Sequence, residues 1–86
     1  MKTQTTEYQG ISIKNKANYK LTKRAIDWLI KHNEADRLRN IADGDGDERA
    51  YNKYDRQAER TYDKYLEAIE YLPSYQIKLI EKSNLY

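Results

Sequence analysis

The chain has 86 residues, enough for one small domain and too few for two. Cys is absent, which excludes disulfides and thiolate metal sites. A mean hydropathy of -1.13, with no run near the roughly 18 apolar residues a span needs, excludes a membrane helix.

Seven Leu and eight Ile are the whole aliphatic supply beyond Ala, with no Val and no Phe. Fifteen of 86 falls under the roughly 20% at which disorder becomes a live reading. That reading also needs a high net charge, and 16 basic against 14 acidic residues leave only +2. Nine Tyr and one Trp supply the missing apolar mass. Lys, Asn, Ile and Tyr are abundant while Ala, Gly and Pro are scarce, a skew that matches AT-rich codons and points to a low-GC bacterium or its phage or plasmid.

Residues 1–7 are polar and read as a frayed terminus, with no apolar signal segment, so the chain is expected in the cytoplasm. Residues 8–14 alternate Ile11 and Ile13 against polar neighbours, which predicts a short strand or an extended arm. Thr22 is the predicted N-cap of a helix over 22–42, with Leu21 and Ile26 placed as a hydrophobic staple. Ala25, Ile26, Leu29 and Ile30 share one face of that helix and Trp28 falls on another, so its apolar arc is wider than a surface helix needs. Asn33 would land on the buried face of an unbroken helix, so one helix or two broken near Asn33 both fit.

Residues 43–47, Asp-Gly-Asp-Gly-Asp, read as an acidic loop. Residues 47–72 carry the clearest periodicity. Tyr51, Tyr54, Ala58, Tyr62, Tyr65, Ile69 and Leu72 form a heptad-like seam on a long helix. An acidic flank of Asp55, Glu59, Asp63 and Glu70 lies beside it, and a basic flank of Arg49, Lys53, Arg56, Arg60 and Lys64 lies opposite. Both flanks read as solvated faces. Pro73 ends this helix, and residues 74–83 fit a short helix with Pro73 at its first position, or a strand. The architecture expected is mainly α, a small bundle of three to four helices with a short N-terminal strand or arm.

No constellation supports catalysis or a cofactor. His32 is the only His, too few ligands for zinc. Asp43, Asp45 and Asp47 open like a Ca²⁺ loop, but Glu48 stands where the sixth position needs Gly and Tyr54 where the twelfth needs Glu. Asp55–Glu59 and Asp63–Glu67 have helical spacing without a cleft to split their pKa values. No phosphate-cradling glycine loop is present. The expectation is therefore no enzyme, no metal and no cofactor.

Charge is uneven. Residues 1–42 hold nine basic and four acidic residues, a local +5; residues 43–86 hold seven and ten, a local -3. No acid occurs between Tyr8 and Ile26, where Lys14, Lys16, Lys20, Lys23 and Arg24 stand. Either the basic half faces the acidic half within the chain, or it awaits an anionic partner. Tyr, Trp and Arg dominate interface hot spots, and Trp28, Tyr71 and Tyr86 fall outside the seam. The partner-binding set is thus Lys14, Lys16, Lys20, Lys23, Arg24, Trp28 and Tyr71.

The function expected is a small non-enzymatic binding protein that occupies an acidic surface of a protein or nucleoprotein complex, as a phage-type inhibitor of a host or defence complex would. A DNA- or RNA-binding regulator using the 14–24 window is the alternative. No membrane partner is expected, and a homodimer through the Tyr51–Leu72 seam would relieve a marginal core.

Overall fold

The computed structural model describes residues 6–83 and Leu85. Two short strands, β1 (Thr6–Tyr8) and β2 (Ile11–Ile13), precede three helices, α1 (Tyr19–Asp45), α2 (Glu48–Ile69) and α3 (Ser74–Glu81). The architecture is mainly α with a small antiparallel sheet, in line with the helical bundle expected. Residues 1–5, Asn84 and Tyr86 lie outside the described residues, so much of the frayed terminus and the Tyr86 candidate are not described.

The segment 8–14 holds the short strand expected, β2, and the structure pairs it with β1 in a hairpin. Thr6 pairs with Ile13, Glu7 with Ser12 and Tyr8 with Ile11. The two-residue turn holds Gln9 at φ 54° and Gly10 at φ 79°, the positive pair that matches the twist of flanking strands. Ile11 and Ile13 point inward and are buried.

α1 begins earlier than the capping pattern predicts. Asn15 accepts from the Ala17 backbone N–H at 2.9 Å and caps a 3₁₀ turn over Lys16–Asn18, which runs straight into α1 at Tyr19. Thr22 is therefore a buried residue one turn inside the helix, not its N-cap. Nor does α1 break at Asn33. The Asn33 amide donates to the Leu85 carbonyl at 2.5 Å, so its polar group is satisfied by the far end of the chain. The acidic loop at 43–47 shrinks to two residues, because Asp43, Gly44 and Asp45 stay helical. Gly46, at φ 69°, supplies the left-handed cap; its N–H bonds the Asp43 carbonyl, and the Asp47 N–H bonds the Ala42 carbonyl. Asp47 then caps α2 by accepting from the Ala50 N–H at 3.1 Å.

α1 and α2 form an antiparallel hairpin of 27 and 22 residues, about 40 and 33 Å at 1.5 Å per residue. The molecule is correspondingly long, 57 × 20 × 16 Å. The tyrosine seam of α2 packs on α1 of the same chain. Tyr65, Ala58, Ala68 and Leu72 are buried, and Tyr51, Tyr54 and Tyr62 are half-buried. The facing seam on α1 is Leu21, Ala25, Trp28, His32, Ala35, Arg39 and Ala42, spaced alternately four and three apart. His32 and Arg39 mark its register: His32 meets Ala58 and Tyr62, and Arg39 meets Asp55.

The core lies at one end of this rod. Ile11 from the hairpin, Ala25, Ile26 and Leu29 from α1, Tyr65 and Ala68 from α2, Leu72 and Ile80 form one cluster. Toward the other end the buried seam residues are Ala35, Ala42 and Ala58. α3 starts after Pro73, whose carbonyl accepts from Gln76 and Ile77, so Pro73 is the N-cap and not the first helical residue. Gln76 is wholly buried. Its amide donates to the Ser12 carbonyl at 2.8 Å and accepts from the Lys14 N–H at 3.1 Å. One side chain of a helix thus takes the place of a third strand along β2.

Candidate binding surface

The basic window is not neutralised by the acidic half. Antiparallel packing sets the first half of α1 beside the last turns of α2, yet among the described residues no carboxylate lies within 4 Å of Lys14, Lys16, Lys20, Lys23 or Arg24. The ion pairs fall elsewhere. Arg37 pairs with Glu34, Lys64 with Glu67, and Arg39 with Asp36 and with Asp55 at 3.0 Å. The Glu34 hydrogen bond raises the pKa of Arg37, and the Arg37 bond lowers that of Glu34. The Asp55 hydrogen bond raises the pKa of Arg39, which among the described residues is the one cation paired across α1 and α2.

Three of the sequence-selected residues meet in one place. Arg24 and Trp28 from α1 and Tyr71, just past α2, line a groove of about 190 Å³ with Leu21, Lys64, Glu67 and Ala68. Heptad spacing aims Trp28 at the edge of the seam, where its ring is half-buried, and Lys31 Nζ stands 4.7 Å over it. Tyr71 is 73% exposed. Lys64, read from sequence as part of the solvated basic flank, and Glu67, read as one of a carboxylate pair, form the far bank. The signal that could have found them is their position, seven and four residues before Tyr71.

The remaining lysines lie outside the groove and exposed. Lys14 follows β2, Lys16 is in the 3₁₀ turn, and Lys20 and Lys23 are on the first turns of α1. Lys23 Nζ sits 5.5 Å over the Tyr8 ring. The Tyr8 hydroxyl donates to Asp27 Oδ1 at 2.5 Å, and that bond to a carboxylate raises the Tyr8 pKa above its ordinary value.

His32 has a structural post. Its Nδ1–H donates to the Ala58 carbonyl at 2.8 Å, since a carbonyl only accepts, and its ring lies 5.1 Å from that of Tyr62. Asp43, Asp45 and Asp47 are not gathered as ligands. The first two are carried on the helix, and Asp47 is spent on a cap. Among the described residues no group of three His, Asp or Glu is placed to hold a metal, and no helix is long and apolar enough to cross a membrane.

Comparisons with protein-family models, with curated proteins and with solved structures gave no match.

Proposed function

We propose that the chain is a non-enzymatic binding module that docks on an acidic surface of a protein or nucleoprotein complex. The carrying observation is the groove where Arg24, Trp28, Lys64 and Tyr71 converge beside the unpaired cations of the α1 start. Aromatic rings flanked by cations have the make-up of an interface hot spot: the rings bury area at low entropic cost, and the cations steer and orient an anionic surface. Action is by occupancy, blocking whatever else that surface binds. The AT-rich residue skew favours a phage- or mobile-element-encoded inhibitor acting in the cytoplasm. Glu67 in the groove disfavours a phosphate backbone there. The exposed Lys14, Lys16, Lys20 and Lys23 keep a DNA- or RNA-binding regulator as the second reading.

Affinity capture from a lysate of the source organism, with and without nuclease, tests the two. A protein retained after nuclease supports docking. Retention only through nucleic acid, with steep log-linear loss in salt, supports the second reading. Trp28→Ala is expected to weaken capture by about 2 kcal/mol, roughly 30-fold, as a hot-spot truncation does. Tyr71→Ala is the companion variant, because its ring is exposed and its loss leaves the fold intact. Unchanged capture by both variants would sink the assignment.

A further inference from the structure

Glu67 is a ridge between two grooves of different character. On its other flank, α2 and α3 enclose a wide, shallow groove of about 650 Å³ lined by Leu66, Ile69, Leu72 and Ile77, with Asp63, Glu67 and Glu70 at its rim. Leu66 is 43% exposed, a large aliphatic group left in water. Among the described residues no cation lines this groove.

We propose that this groove is a docking site for a basic amphipathic helix. The apolar floor asks for the aliphatic stripe of such a helix, and the rim asks for its Lys and Arg. The rim is also under electrostatic tension. Asp63 and Glu67 are four apart and Glu67 and Glu70 three apart, so like charges are neighbours on the helix surface. All three stand in or next to the last two turns of α2, where the helix dipole is itself negative. The last turn carries no basic residue, and among the described residues only Glu67 has a cation within 4 Å. A cationic partner would relieve a repulsion that the chain leaves standing. The two grooves share only Glu67, which none of the test variants changes, so the two assignments stand or fall separately.

The probes are a labelled amphipathic helix of leucine and lysine and its leucine–glutamate counterpart, read by fluorescence anisotropy at physiological salt. The lysine probe is expected to bind saturably and the glutamate probe not at all. Leu66→Ser and Glu70→Lys, both at exposed positions, are each expected to weaken binding about tenfold or more. Asp45→Lys, the same charge change at the far tip of the rod, is expected to leave affinity within about threefold. Glu70→Lys is also expected to raise the melting temperature, because it removes the repulsion. Absence of saturable binding overturns the proposal. So does an Asp45→Lys loss equal to that of Glu70→Lys, or a Leu66→Ser variant that binds normally.

Discussion

Gln76 shows how much one side chain can settle. Its amide meets the Ser12 carbonyl of β2 and the N–H of Lys14 just after it, so the edge of the hairpin that faces the core is closed without a third strand. Gln76→Leu keeps the size but orphans the Ser12 carbonyl, and leaving a buried acceptor unpaired costs about 1–3 kcal/mol. Urea denaturation should show that loss, and an unchanged midpoint would mean the two bonds contribute nothing. Tyr8 offers a pH test. Its pKa is raised in the folded state, chiefly by the bond to Asp27. The bond's contribution is therefore full below the ordinary tyrosine value near ~10 and lost as pH rises through the higher folded value. Tyr8→Phe should show a shallower loss of stability than the parent as pH rises above about 10. Parallel alkaline limbs would refute it.

Among the elements, α2 was the most legible. Large tyrosines at heptad positions announce a seam by size alone, and the structure puts Tyr65 at its buried centre. The matching seam of α1 hides its signal, because His32, Ala35, Arg39 and Ala42 are polar or small. His32 and Arg39 are placed by contacts to Ala58, Tyr62 and Asp55 that no local pattern records. Asn33 misled for the same reason: its partner is a carbonyl 52 residues away. Thr22 misled through a good local cap pattern, overridden by the 3₁₀ turn that starts the helix sooner. Of the candidate site, Trp28 and Tyr71 were legible as aromatics outside the tyrosine seam. Lys64, Glu67 and Leu66 were not, since their grooves exist only once α1 and α3 flank α2.

The α1–α2 corner allows a paired test at the element scale. Gly44 is helical, and a Cβ there meets no atom within 4 Å, so Gly44→Ala should stabilise by up to about 1 kcal/mol. Gly46 has equal space but a φ of 69°, so Gly46→Ala should destabilise by about 1–2 kcal/mol. Thermal melts of the two variants should move in opposite directions. A shift in the same direction would contradict the cap geometry.

As a whole, the molecule is a rod with its fully buried large side chains at one end. The core cluster gathers Ile26, Leu29, Tyr65 and Ile80 beside the hairpin, while the far half of the α1–α2 pair is zipped by three alanines and the Arg39–Asp55 pair. Burial of large apolar groups controls local opening, so backbone amides over 37–53 should exchange with solvent well before those over 22–30 and 62–70. Uniform protection along α1 would show that the far half is held by something other than packing. The two proposed docking grooves both lie at the well-packed end, where rigid elements hold their linings in place.

The bonds of Gln76 to β2 reach back 62 and 64 residues, the longest spans in the described hydrogen-bond network. During synthesis the α1–α2 hairpin, made of sequence neighbours, has all its residues well before Gln76 emerges. Until then the inner edge of β2 remains an open row of backbone groups, a template for another strand. A premature stop between Leu72 and Gln76 would therefore leave a helical rod with a sticky hairpin, and its product should aggregate while keeping most of its helix. Through Gln76, α3 acts as an internal cover against misassembly, in place only once that residue has been made.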